Sequence, residues 1–207
     1  MNFNHLLNQI LGTVQKNGKS ASKGKGPLDS FGGGALVGGL ASMLMKKKNT
    51  KSLVKVGSMA ALGYLAYQGY QNWQKNQQQE VVPQSAFEPA GLLAEDHSRV
   101  ILRTMIAAAA SDGLIDETEK QIIARESGED PETAAWLAAE YNNPATVEEL
   151  AAAVGTDQAL AAETYLAARL VCADLSRKEI VFLSRLSQAL GLDDNLVESL
   201  EKQLELA

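Results

Sequence analysis

The 207-residue chain contains a single cysteine, Cys172. No intrachain disulfide can form, and the apolar neighbours and helical pattern around Cys172 point to a buried structural thiol. Histidine is almost as scarce. His5 lies in the N-terminal stretch and His97 near the start of a helical pattern. Neither has a second His or Cys nearby, which argues against zinc, and neither has a nucleophile beside it, so acyl transfer has no support. Gly32-Gly33-Gly34 is not followed by the Lys-Ser/Thr of a phosphate-binding loop, and no strand precedes it. Strand alternation of useful length is missing throughout. Aromatics are few. Trp136, Tyr141 and Tyr165 fall inside helical patterns and suit core packing, although an exposed Trp136 would signal a partner surface. The first 27 residues are polar and dotted with Lys, without the basic-apolar-small order of a cleavable signal peptide.

Charge is present but unevenly spread. Residues 1–79 carry ten Lys against Asp29 alone, whereas residues 80–207 carry nine Lys plus Arg against 24 Asp plus Glu. A division this sharp marks two modules with different surroundings. The acidic part would be repelled by nucleic acid. The Lys of the basic part flank apolar runs and form no base-reading pattern, so lipid is its expected partner.

The N-terminal part begins with Phe3, Leu6, Leu7, Ile10, Leu11 and Val14 at helical spacing, a short amphipathic helix on a flexible basic N-terminus over residues 1–27. Two uncharged runs follow, Ser30 to Met45 with five glycines and Val56 to Tyr70 with Gly57, Gly63 and Gly69. Lys46, Lys47, Lys48, Lys51 and Lys55 lie between them. In water such glycine content weakens a helix by roughly 1 kcal/mol per Gly relative to Ala. In lipid, small residues allow close helix contact. Residues 28–73 therefore read as a Gly-rich membrane-associating segment, each run being slightly shorter than the roughly 20 residues of a full span. If one run spans, it is Ser30 to Met45, and the Lys cluster behind it places the C-terminal domain in the cytoplasm. Residues 74–94, rich in Gln with Pro83 and Pro89, read as a linker.

From residue 95 to 207 the pattern is helical, with signals for about seven helices. Asp112-Gly113 ends the first, Asp116 with Glu119 makes a capping box, and Asp130-Pro131 opens a third helix. Thr146 with Glu149, Asp157, Ser176 with Glu179, and Asp193 or Asp194 begin the rest, and Gly191 is a stop. The stretch from Ala109 to Glu119 echoes that from Val171 to Glu179. In each, a helix ends on Asp, a turn follows, and a capping box opens the next helix. The second copy has Leu175 where the first has Gly113. Two such helix pairs about a pseudo-twofold would bring the acidic turns towards one another.

Ala110-Ser-Asp-Gly-Leu-Ile-Asp-Glu-Thr-Glu119 resembles the signature of the tellurite-resistance TerB-like helical domain. Thr164-Tyr-Leu-Ala-Ala-Arg-Leu-Val-Cys-Ala-Asp174, with Leu190-Gly-Leu192, resembles the C-terminal half of the YebE-like family, bacterial inner-membrane proteins of unknown function. The resemblance covers about residues 95–205 and implies an all-α, TerB-like bundle on an inner-membrane anchor. It also implies a divalent-cation site at the acidic turns. By matching position its residues would be Asp112, Asp116 and Glu119, with Asp174 and Glu179 from the second copy. Leu175 departs from the Gly113 pattern there and weakens the pairing. Oxygen ligands of this kind suit Ca²⁺ or Mg²⁺, yet the string lacks the alternating acids of an EF-hand, and the same residues also read simply as helix caps.

The expected function is a membrane-anchored, non-enzymatic helical binding or scaffold module in envelope or metal-stress physiology, with a protein partner and no certain cofactor. Two alternatives stay open. One is a divalent-metal-binding or metal-dependent protein using Asp112, Asp116 and Glu119. The other is a soluble structural protein that self-associates through its Gly-rich segment.

Overall fold

The computed structural model describes residues 2–20, 56–75, 82–113, 131–172 and 175–206, with side chains in the first helix placed as far as residue 12. Eight α-helices occur among them: α1 Phe3–Ser20, α2 Met59–Gln74, α3 Leu92–Ala110, α4 Pro131–Asn142, α5 Val147–Val154, α6 Gln158–Val171, α7 Arg177–Ala189 and α8 Asp194–Leu206. A 3₁₀ turn, Gln84–Phe87, precedes α3, and no strand occurs among the described residues.

The caps explain many of the boundaries. Thr146 and Glu149 form a reciprocal capping box on α5, and Ser176 and Glu179 form another on α7. Asp157 accepts the Leu160 N–H at the start of α6, and Pro131 is the first residue of α4. Gly113 and Gly191 stand at φ 83° and 66° just beyond α3 and α7, as left-handed stops require. Leu175 adopts φ 48° in the turn before α7. The echo between the two turns thus extends to the backbone: Leu175 takes the left-handed conformation of its counterpart Gly113, at a cost of about 1–2 kcal/mol for an L-residue with a Cβ.

One core crosses the boundary expected at residue 95. Leu62, Ala66, Tyr70 and Trp73 of α2 are buried in the same cluster as Ile101, Ile106, Leu166 and Leu200. Residues 59–73, expected within the membrane-associating segment 28–73, therefore belong to the bundle, and the reason is close contact. A Cβ on Gly63 would fall far inside van der Waals contact of the Phe87 carbonyl oxygen. One on Gly69 would lie 2.7 Å from Leu200 Cδ2 and 3.0 Å from Leu200 Cα. The glycines expected to bring helices together in lipid bring α2 against the 3₁₀ turn and α8 instead. Polar contacts seal the same faces: Ser199 Oγ donates to the Gly69 carbonyl at 2.8 Å and the Trp73 indole to Asp193 Oδ1 at 3.1 Å.

The N-terminal helix is also part of this body, rather than a short element on a flexible arm. Leu6, Leu7, Ile10 and Leu11 are buried, each contributing about 1.5–3 kcal/mol before entropy is counted. Asn2 caps α1 by accepting the His5 N–H at 2.7 Å, and Glu95 of α3 accepts the Phe3 and Asn4 N–H groups, satisfying from another helix two donors that this cap leaves open. Asn8 accepts the Met59 N–H at the start of α2. Phe3 meets the half-buried Trp136 edge to face, with ring centroids 5.0 Å apart. Trp136 thus packs against α1, while Tyr141 and Tyr165 are core residues.

Alanines bring the central pair together. Ala107 and Ala108 on α3, and Ala161, Ala162, Ala167 and Ala168 on α6, are buried, and the two helices pack directly. Among the described residues no helix is long and apolar enough to cross a membrane. The run from 30 to 45 and the expected helix at Asp116 lie outside the described residues.

Candidate functional site

Residues 111–113 close α3, and Lys178, in the first turn of α7, donates to the Asp112 carbonyl at 3.1 Å. The turn after α3 and the start of α7 are therefore neighbours. Glu179 is buried and its Oε2 accepts the Ser176 N–H at 2.8 Å, so one carboxylate oxygen serves the capping box. Asp116, Glu119 and Asp174 lie outside the described residues, so of the five expected metal ligands only Asp112 and Glu179 are placed. Among the described residues no group of three or more His, Cys, Asp or Glu side chains could hold a metal ion.

A second polar cluster sits deep in the bundle, built on α3 and α6. His97 of α3 is 2% exposed, and its two ring nitrogens face two carboxylates: Nε2 lies 3.4 Å from Asp157 Oδ2 and Nδ1 lies 3.5 Å from Glu163 Oε2. Asp157 is shared between tasks, since its Oδ1 caps α6. Glu163 is fully buried, and neither of its oxygens accepts a hydrogen bond from the described residues. Gly63 of α2 provides the room, because a Cβ there would stand 3.0 Å from Glu163 Oε1. Burial draws the imidazole pKa down, but the Glu163 and Asp157 carboxylates beside its two nitrogens outweigh it and hold it above its usual value. Burial pushes the Glu163 carboxyl up, partly offset by His97. The imidazole bridges its two carboxylates from opposite nitrogens, so the three cannot converge on one cation.

This cluster was invisible to sequence reasoning. His97 has no metal-ligand partner nearby in sequence, and its partners are 60 and 66 residues away on another helix. The available signal was a Glu in the middle of an otherwise apolar stretch, Ala159 to Leu166. Another inter-helix anchor lies a turn further along α6. The Tyr165 hydroxyl and Arg169 Nε both reach Glu201 Oε1 on α8, at 2.8 and 3.2 Å. Burial and the Glu201 carboxylate push the Tyr165 hydroxyl well above its ordinary pKa.

A surface groove of about 410 Å³ lies between α5 and α7. Val147, Val181 and Phe182 give it an apolar floor, and Arg177, Lys178 and Arg185 give it a basic rim. Ile180 and Val181 are 50% and 59% exposed beside it. Arg185 reaches Glu148 at 2.9 Å, an exposed pair worth at most about 1 kcal/mol.

These features define an all-helical bundle whose placed ionisable groups mainly join helices to one another. The chain belongs to the family described as protein of unknown function (DUF533), which matches residues 30–204 and is TerB-like. That match begins well before the expected domain boundary and includes α2, in keeping with α2 as part of the bundle. No curated protein and no solved structure matches the chain.

Proposed function

We propose that this protein is a non-enzymatic helical binding module, held at the bacterial inner membrane by residues before α2, with its bundle in the cytoplasm. The observation that carries the binding role is the groove beside α7. Three of the nine cationic residues of the acidic part, Arg177, Lys178 and Arg185, surround apolar side chains left in solvent. Grouped cations around exposed Val181 and Ile180 suit a protein segment with apolar anchors and carboxylates, since apolar contact supplies affinity and charge supplies orientation. The excess negative charge of residues 80–207 opposes the alternative occupant, an anionic lipid surface.

Membrane attachment is supported by the sequence alone, by the uncharged run from 30 to 45 and the five Lys that follow it before α2; because α1 and α2 on either side of this run pack in one bundle, the attachment proposed is to one membrane face, without a single crossing. The YebE-like resemblance supports the same location.

A photo-crosslinking side chain at position 181 of the full chain tests the binding role. A discrete adduct is expected, mapping to an acidic segment of another protein and lost on the double substitution Arg177→Glu, Arg185→Glu. Adducts to lipid alone, or adducts that survive the charge reversal, overturn it. Carbonate washing tests the anchor. The full chain should stay with the membrane pellet, and quantitative recovery in the high-speed supernatant removes that part of the proposal.

A further inference from the structure

We infer that the α3–α6 seam is a pH-sensitive latch, closed while His97 and Glu163 hold a proton between them and loosened when that proton leaves. Glu163 is completely buried, and among the described residues its carboxylate faces one cationic group, His97. Neither Glu163 oxygen has a hydrogen bond to fall back on among those residues. With a proton on the pair, the site holds either an imidazolium beside a carboxylate or two neutral groups. Without it, a lone negative charge sits in the core, the arrangement a protein interior tolerates least.

The other groups around the site are committed elsewhere. On α3, Glu95 accepts the Phe3 and Asn4 N–H groups, while Asp96 and Arg99 face each other at the surface at 3.9 Å. From α2 comes Tyr70, whose hydroxyl donates to Gln158 at 2.5 Å, and Ser98 beside His97 contacts Met59 Sδ. Further along α3, Arg103 pairs with Glu140 of α4 at 2.9 Å. On α6, Asp157 faces Nε2 and reaches solvent, which gives the proton an exit from the imidazole to the surface.

The direction follows from linkage. A group whose pKa is higher in the folded state stabilises the fold below its unfolded pKa, and that contribution is lost as pH rises through the folded value. The unfolded value for histidine is about 6.5. His97 is raised, so stability should fall as pH climbs above that point. Glu163 is raised too, so it contributes a loss of the same sign from about 4.5 upward.

The test is urea unfolding of the full chain between pH 5 and 9. The unfolding constant should increase by up to about tenfold per pH unit above 6.5, the limit for one proton. Glu163→Gln, which leaves no buried charge, should flatten that rise. His97 can be followed by NMR, and its midpoint should lie above 6.5 and move down in Glu163→Gln. Asp157→Asn keeps the α6 cap while removing one carboxylate, and should lower the His97 midpoint by a smaller amount. Identical pH profiles in wild type and Glu163→Gln overturn the latch. If Glu163→Gln fails to fold, an unchanged His97 midpoint in Asp157→Asn, or a wild-type midpoint at or below 6.5, overturns it equally.

Discussion

Replacing Gly63 by Ala separates a core helix from a lipid-facing one. In an exposed helix this change stabilises by roughly 1 kcal/mol, because Ala loses less backbone entropy. Here the new methyl would collide with the Phe87 carbonyl and crowd Glu163 Oε1 at 3.0 Å. The carbonyl belongs to backbone and cannot rotate away as a side chain would. The turn at Gln84–Phe87 must shift, dragging Phe87, which is buried against Tyr67 and Tyr70. Overpacking of this kind costs about 1–3 kcal/mol, and the upper end applies where backbone must move. Subtracting the propensity gain leaves a net loss of about 1–2 kcal/mol. In a domain of this size that lowers the melting temperature by roughly 2–8 °C. Gly69→Ala should cost less, because its nearest obstacle is the movable Leu200 Cδ2, although the Leu200 Cα at 3.0 Å still resists. Urea unfolding with an unchanged slope measures the difference. Ala60→Gly, exposed in the first turn of α2, is the control and should cost less than about 1 kcal/mol, from propensity alone. A neutral or stabilised Gly63→Ala protein would refute the packing of α2 described above.

Leu175→Gly should stabilise by about 0.5–1 kcal/mol, as relief of the left-handed strain exceeds the added chain entropy of Gly; an equal or lower urea midpoint would contradict the strain. The acidic-turn alternative is tested by thermal unfolding of the full chain in excess EDTA, Mg²⁺ or Ca²⁺. A divalent cation bound at 100 times its Kd would add about 2.7 kcal/mol, and Asp116→Ser, which preserves a cap but removes a carboxylate, should abolish the gain. Equal midpoints in all three conditions sink that alternative.

Much of the bundle is legible in the sequence because caps act locally. Thr146 with Glu149, Ser176 with Glu179, and Asp157 each bond backbone N–H groups three residues away, so their chemistry is complete within one turn. The same locality places Gly113 and Gly191. The helical pattern expected from residue 95 begins three residues earlier, at Leu92, and Glu95 in its first turn also bonds the start of α1 across 91 and 92 residues of chain. No local pattern carries that second role.

The apolar run over 56–70 shows the limit most plainly. Glycine every six residues between apolar side chains has the same appearance whether the surface it meets is lipid or protein. Both surfaces reward close approach, and hydropathy does not distinguish them. Only the tertiary structure supplies Phe87 and Leu200 as the surfaces that α2 meets. His97 is the same case in electrostatic form. Its residue type is fixed by sequence, but a histidine's protonation depends on which charges surround it and how much water is excluded, and Asp157 and Glu163 reach it only when α6 lies against α3. By itself the sequence determined the helical class, most of the helix ends and the charge division, since each follows from interactions within a few residues or from composition. Which faces are buried, and which ionisable groups share the interior, was decided by packing between distant segments.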